Sequence, residues 1–404
     1  MVIGTDGALY GTTFAGGTSV LGTVFVMTKP AGEPWKETVL HNFSGSDGQY
    51  PQSTLVFGST GALLGATVGG GAGAGTIFEL APPTTAGDPW TETVLYGFGY
   101  TSNSQNVVPN GPVLIGPGGT LYTTTQGSPF EEGYILGLAI ALVPPSTQGG
   151  DWTEYELFAF GGTAGVDGDS PQAGLVSEGG SLFGTTEYAG DPYCGPAGSG
   201  TVYELTPPAN HASAWTETTI YTFGDTPGDG GGSLAALTVG PGGVLDGTTS
   251  IGGSITCPRA EGGGDDGCGT VFQLTPPTSP GGNWTEAVIY SFTGTNGDGA
   301  YPAASVVVGK DGALYGTTER GGSATSACPA TYDVIAGCGT VFQLTPPGVP
   351  GGAWSETVLH SFSDANGYGS MPVAGLALSS TGVLYGATSG GGTAGKGTVF
   401  AVAP

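Results

Sequence analysis

The chain has 404 residues, among them 82 glycines, 32 acidic and 6 basic side chains, for a net charge of −26. So few cations exclude nucleic acid and anionic membrane surfaces as partners, because both need clustered Lys and Arg. No apolar run has the length of a membrane-spanning helix. The glycines follow no collagen triplet and alternate with Val/Leu/Tyr/Phe/Trp runs, which points to strands and turns in place of disorder.

In chain order, one short phrase returns seven times. It reads Gly7-Ala-Leu-Tyr-Gly-Thr-Thr13, then Gly61-Ala-Leu-Leu-Gly-Ala-Thr67, Gly119-Thr-Leu-Tyr-Thr-Thr-Thr125 and Gly180-Ser-Leu-Phe-Gly-Thr-Thr186. Gly243-Val-Leu-Asp-Gly-Thr-Thr249, Gly312-Ala-Leu-Tyr-Gly-Thr-Thr318 and Gly382-Val-Leu-Tyr-Gly-Ala-Thr388 follow. Successive starts lie 54, 58, 61, 63, 69 and 70 residues apart. A phrase at such a period marks a repeat array.

The sixth unit shows the order of elements. Ala304–Val308 reads as a first strand, Gly309-Lys-Asp-Gly312 as a tight turn, and Ala313–Thr318 as a second strand. Gly316 inside that strand marks a bulge or a close backbone approach. After a long loop, Thr340–Thr345 is a third strand, stopped by Pro346-Pro347. Trp354–Phe362 is a fourth. The segments are short, rich in β-branched and aromatic residues, and bounded by Gly and Pro. Nothing reads as a capped amphipathic helix.

The third strand recurs as Gly-Thr-Val-Phe or a close variant, worn in unit three to Gly137-Leu-Ala-Ile140. The six tryptophans, Trp35, Trp90, Trp152, Trp215, Trp284 and Trp354, all open fourth strands. One repeat position for every Trp suits packing between adjacent sheets, with sugar stacking as the sharper alternative. The four-stranded unit matches a propeller blade, and a parallel β-helix is the rival. The expected fold is therefore an all-β, seven-bladed β-propeller. Its blades span approximately 1–43, 51–98, 109–160, 171–223, 233–292, 302–362 and 372–404. The last blade lacks a Trp-led fourth strand, so its third strand is expected to carry an open edge suited to self-association. The chain opens inside a first strand at Met1-Val2-Ile3, and a leader or a missing strand would lie upstream.

The set Leu-Tyr-Gly-Thr-Thr, Gly-Thr-Val-Phe-Gln-Leu-Thr-Pro-Pro and Trp-Thr-Glu-Thr-Val-Leu-Tyr resembles the GloVer family. These are Gloeobacter/Verrucomicrobia-type tandem repeats of bacterial surface proteins, and the resemblance covers nearly the whole chain. It implies an exported, extracellular or cell-surface protein, held by an anchor that this chain does not display. It implies no catalytic residues. Unit three departs from the pattern at Thr123 and Gly137-Leu138, and unit five at Asp246.

Cys257 and Cys268 flank one loop between second and third strands, and Cys328 and Cys338 flank the same loop one unit later. Two local disulfides are expected, with Cys194 left over, which fits an oxidising compartment. Zinc is the weaker reading, because companion ligands at zinc spacing are missing.

The loops between units are rich in Asp, Asn and Gly. Asp47, Asp167, Asp169, Asn296, Asp298 and Asp364 read first as ordinary turn formers, with calcium ligation as the alternative. On the same face the long loops gather Tyr50, Tyr188, Tyr193, Arg259, Tyr301, Arg320, Tyr332 and Tyr368. This face is the candidate binding surface for a glycan or a protein loop. The tyrosines could instead close over the loops' own apolar parts. No nucleophile elbow, metalloprotease helix or P-loop is present. The fourth-strand glutamates, such as Glu92 and Glu286, are repeat-equivalent and should form a ring around the structure. The expectation is a non-catalytic binding or structural module. The alternative is a carbohydrate-active enzyme, a hydrolase or lyase, using loop carboxylates of that face.

Overall fold

Each repeated phrase forms one strand, and the sheet around it is built the same way every time. The fold is seen in a computed structural model. It describes residues 1–85, 87–99, 108–127, 137–147, 149–161, 167–188, 199–208, 214–224, 228–253, 257, 267–279, 281–323, 328, 335–349, 351–364 and 368–404. In the sixth unit Val307–Val308, Leu314–Thr318, Thr340–Thr345 and Ser355–Ser361 pair in that order. All pairings are antiparallel. The turn before the second strand is closed by Gly309 and Gly312, whose backbone N–H groups bond Ala313 and Gly309 carbonyls. Gly312 has φ 79°, a conformation that glycine adopts without a Cβ penalty.

Seven such sheets follow one another, and they form a seven-bladed β-propeller. The first six carry a fourth strand, whereas the last, Ala377–Leu378, Leu384–Thr388 and Thr398–Val402, has three strands. The core lies between sheets. One cluster joins Val24 and Phe43 of the first unit to Leu63, Phe78 and Leu80 of the second. Another joins Phe362 and Val341 of the sixth to Leu376 and Leu384 of the seventh. The ring closes where Trp35, opening the first fourth strand, meets Tyr385 of the last second strand. A solenoid has no such contact between its ends, so this pair decides against the β-helix.

The repeated residues have steric causes. The glycine of Leu-Tyr-Gly-Thr-Thr lies under the aromatic ring of the third strand. A Cβ on Gly11, Gly65, Gly247, Gly316 or Gly386 would sit 2.3–2.7 Å from the ring of its partner, Phe25, Phe78, Phe272, Phe342 or Phe400. Gly184 is covered by Tyr203 in the same way. Of the two readings of Gly316, close approach is therefore the right one. The bulge lies elsewhere, in the third-to-fourth-strand pairing, where the register shifts between Val341 and Phe342 and at the equivalent step in the other five blades. Unit three departs from the phrase at both positions of this contact: Thr123 pairs with Ile140, so the Cβ has room because the ring is gone.

The final Thr of the phrase ties the second strand to the third. Thr318 Oγ1 lies 2.8 Å from Thr340 Oγ1, accepts the Thr340 N–H at 3.2 Å and donates to the Arg320 carbonyl at 2.8 Å. Thr67–Thr76, Thr186–Thr201, Thr249–Thr270 and Thr388–Thr398 repeat the oxygen pair. The Thr before it reaches the next blade: Thr124, Thr185, Thr248 and Thr317 donate to carbonyls of Ala173, Ala235, Ala304 and Ala374. The glycine opening the third strand faces a proline of the next blade. Pro51, Pro302 and Pro372 place Cδ 2.6 Å from where a Cβ would stand on Gly22, Gly269 and Gly339.

Both expected disulfides form. Cys257–Cys268 and Cys328–Cys338 have Cα separations of 5.0 and 5.4 Å, within the range a disulfide spans. All four cysteines are buried in clusters between neighbouring sheets. Cys194 lies outside the described residues.

Candidate functional site

Loops between units pair with loops between second and third strands, so both emerge on one face. Gly299–Ala300 pairs with Arg320–Gly321, Gly230–Gly231 with Ile251–Gly252, and Gly369–Ser370 with Gly390–Gly391. Asp169 and Tyr188 bridge the same two loops in the fourth blade.

This pairing distributes the candidate tyrosines. Tyr50 stacks on Phe14 with centroids 4.8 Å apart and φ 58°. Tyr301 shares that φ, and its carbonyl accepts the Glu319 N–H beside Arg320. Arg320 Nε lies 3.5 Å from Glu319 Oε1. Tyr188 and Tyr368 are exposed. These residues belong to different blade junctions, one or two at each. Tyr193, Arg259 and Tyr332 lie outside the described residues.

The candidate calcium ligands are likewise one set per junction. Asp298 caps its loop: Oδ2 accepts from Thr293 N and Oγ1 at 2.7 Å each, and Oδ1 from Gly299 N at 2.7 Å. Asp229 repeats this with Gly224 N, Gly230 N and the Tyr221 hydroxyl. Asp47 does so with Ser44 N and Oγ. Asp167 and Asp169 are buried in the loop before the fourth blade. Asn296 and Asp364 adopt positive φ of 55° and 51°. For Asp47, Asp298, Asn296 and Asp364 the turn-forming role is visible in the hydrogen bonds or the backbone.

Beside these aspartates lies a feature that reading one unit at a time misses. Four aspartates of these loops lie close enough to act on the fourth-strand Glu of the following blade: Asp47 on Glu92, Asp167 on Glu217, Asp229 on Glu286 and Asp298 on Glu356. Burial, and then the neighbouring aspartate, pushes Glu92, Glu286 and Glu356 up to about 7. Burial and the Asp167 charge do the same for Glu217, against a lowering hydrogen bond from Thr219. The Asp47 carboxyl behaves differently. Its burial works upward, but hydrogen bonds from Ser44 and from its own N–H, together with His41, hold it below the usual range. Oε1 of Glu92, Glu286 and Glu356 is buried without a hydrogen-bond partner.

The fourth strand carries a ring at the same position, six residues after its Trp, in each of the first five blades. It is His41 at the first, Tyr96 at the second, Phe158 at the third, Tyr221 at the fourth and Tyr290 at the fifth. Tyr221 Oη donates to Asp229 Oδ2 at 2.8 Å, and His41 Nε2 lies 3.0 Å from Asp47 Oδ2. Between the fifth and sixth blades the arrangement opens into a groove of about 570 Å³. Tyr290, Asp298 and Glu356 line it, with Thr293, Thr295 and Asn296. The groove offers many acceptors and hydroxyls and no cation. Such a lining suits hydroxyl-rich or cationic groups and repels anions.

The family model described as Gloeobacter/Verrucomicrobia repeat matches residues 1–257 and 259–404. Among curated proteins, none matches the chain by sequence. A glucose dehydrogenase structure aligns at 13% identity and a TM-score of 0.45, over 88% of this chain and 96% of its own. A Hadza microbial sialidase aligns at 13% identity and a TM-score of 0.45, over 87% of this chain and 64% of its own. A Trypanosoma rangeli sialidase aligns at 11% identity and a TM-score of 0.47, over 98% of this chain and 59% of its own. This chain thus spans less than two thirds of either sialidase. Likeness at this level says nothing about activity.

Proposed function

We propose that this chain, which belongs to the Gloeobacter/Verrucomicrobia repeat family, is the propeller module of an exported bacterial surface protein. In this reading it binds without catalysing, at the long-loop face, and its ligand is a neutral glycan or a hydroxyl-rich protein loop. Buried disulfides suit an extracellular setting. No helix among the described residues is long and apolar enough to cross a membrane.

The groove between the fifth and sixth blades carries the reading. There hydroxyls, an amide and carboxylates converge on open space. The binding test is a glycan array with the intact chain and with Tyr290→Phe and Asn296→Ala. The expected result is saturable retention of neutral glycans, weakened several-fold by the substitutions, with the glycan recovered unchanged. No retention of any glycan or of a surface-peptide library would overturn it.

A second reading, a glycan-cleaving enzyme, is favoured by one observation. In the groove a raised carboxyl, Glu356, stands near a second carboxylate, Asp298, as a general acid beside a base would. The same pair recurs at Asp47/Glu92, Asp167/Glu217 and Asp229/Glu286, which is the mark of scaffold in place of a single active centre. Release of reducing ends, abolished by Glu356→Gln, would decide for the enzyme. The open edge of the last blade adds a contact surface for a second copy of the chain.

A further inference from the structure

The first junction carries a histidine, His41, where the second to fifth carry Tyr96, Phe158, Tyr221 and Tyr290, and that residue changes its chemistry. His41 and Asp47 come from the end of the first fourth strand and the loop after it. Glu92 comes from the fourth strand of the second blade. One ligand atom from each lies within 4.8 Å of the others, and all three residues are partly buried. We propose that His41, Asp47 and Glu92 form a binding site for a borderline divalent transition-metal ion such as zinc, clamping the first blade to the second.

Three observations carry the site. The donor set is one imidazole nitrogen and two carboxylate oxygens, which suits zinc-like ions better than calcium, an ion that prefers oxygen throughout. Glu92 Oε1 is buried and has no hydrogen-bond partner, so a donor is held ready with nothing to receive it. Asp47 is oriented from behind: its Oδ1 accepts from Ser44 N at 2.8 Å and Ser44 Oγ at 2.9 Å, leaving Oδ2 toward His41. Such outer hydrogen bonds fix a ligand's direction. The ion would take the place of the proton now shared along the 3.0 Å His41 Nε2 to Asp47 Oδ2 contact. It would also neutralise the repulsion between two carboxylates that the fold holds together. A water or a ligand atom would complete the coordination.

The molecule supplies its own controls. At the other described junctions the position of His41 holds Tyr96, Phe158, Tyr221 or Tyr290. The fold accepts a ring without a metal donor there, so His41→Tyr should leave the blades intact. His360 occupies the position in the sixth blade, and among the described residues the seventh sheet offers no fourth-strand glutamate to it.

The test is titration of the full chain, stripped with chelator, with zinc chloride by calorimetry and with cobalt by visible absorption. One zinc per chain should bind. His41→Tyr and Glu92→Gln should each weaken it by about tenfold or more, while His360→Tyr leaves it unchanged. Zinc should also raise Tm more than the same concentration of calcium or magnesium. Wild-type affinity no better than that of His41→Tyr overturns the site, as does a loss equally large in His360→Tyr. If a variant fails to fold, NMR of the histidine rings in wild type decides. One equivalent of zinc must move the His41 signals first, and movement of another histidine in its place overturns the proposal. Glycan binding does not enter this experiment, so the site stands or falls apart from the proposed function.

Discussion

Trp35 and Tyr385, from opposite ends of the chain, meet edge to face with ring centroids 5.9 Å apart. A Trp-to-ring contact of this kind recurs at three other junctions. Trp90 meets Tyr10, Trp215 meets Tyr122, and Trp284 meets Phe183, each Trp reaching back to the second strand of the preceding blade. Ring closure therefore uses the ordinary junction and needs no special device. Trp35→Ala should cost on the order of 2 kcal/mol, below the 3–5 kcal/mol of a fully buried ring, because Trp35 is only partly buried. Trp354→Ala should cost about 1 kcal/mol less, because the equivalent second-strand position before it is Asp246 and offers no aromatic edge. Denaturant unfolding of both variants checks this, and equal losses would refute the closure account.

The contact between Gly316 and Phe342 should behave as a coupled pair. Gly316→Ala puts a Cβ 2.4 Å from the Phe342 ring and should destabilise by about 1–3 kcal/mol. Adding Phe342→Ile should recover much of that loss, since unit three already combines Thr123 with Ile140. A double-mutant cycle measures the coupling. Additive losses would show that the ring is not what excludes the side chain.

Stability should fall as pH rises through neutrality. Glu92, Glu217, Glu286 and Glu356 are pushed up to about 7 and Asp246 to about 6, in each case first by burial. A carboxyl whose folded pKa exceeds its unfolded value stabilises fully below the unfolded value, and that contribution is lost as pH rises through the folded one. The window is therefore about pH 4.5 to 7. His360, lowered by burial, works the other way, since its contribution is lost as pH falls. Asp47 acts only below this window, where its lowered carboxyl takes up a proton. Tm at pH 5 should exceed Tm at pH 8, and replacing the four glutamates by Gln should flatten the difference. A Tm that rises from pH 5 to 8 would contradict the junction electrostatics.

Tyr203 is fully buried and its hydroxyl has no hydrogen-bond partner. The equivalent position is Phe25, Phe78, Phe272, Phe342 or Phe400 in other units. Tyr203→Phe should stabilise by about 1 kcal/mol, the desolvation cost of an unpaired hydroxyl. Calorimetry giving a lower Tm would mean that the hydroxyl is satisfied by water.

Among the described residues no strand pairs with the outer side of Thr398–Val402, the third strand of the last sheet. A Trp-Thr-Glu-Thr-Val-Leu-Tyr-Ser-Phe segment appended after Pro404 should raise Tm and reduce concentration-dependent association in light scattering. If neither quantity changes, the edge is already protected.

The blades were legible because their contacts are local and repeated. Gly316 under Phe342, and Thr318 bonded to Thr340, lie within one unit and recur in most, so spacing and residue type expose them. The pairing of Asp298 with Glu356 was not legible. Its members come from different units, and a bulge in every fourth strand alters which residues face the neighbour. The glutamates alone suggested a ring, while the aspartates alone looked like turns. A comparison of columns across units shows His41 and His360 standing among Tyr96, Phe158, Tyr221 and Tyr290, and of the two it is His41 that precedes a blade with a fourth-strand glutamate, Glu92.

The exchange in unit three also carries a history. If that unit began like its neighbours, with a glycine under an aromatic ring, two changes produced Thr123 and Ile140. The two possible orders are not equivalent. Adding the side chain first drives a carbon to within 2.3–2.7 Å of a ring, as at the other units, and that intermediate is strained. Shrinking the ring first leaves only a small void, a cost of a few kcal/mol that a blade held by two neighbours can bear. Losing the ring first is the order in which no side chain is ever driven against a ring, so the third blade shows how one position of the repeat can change only in step with its partner.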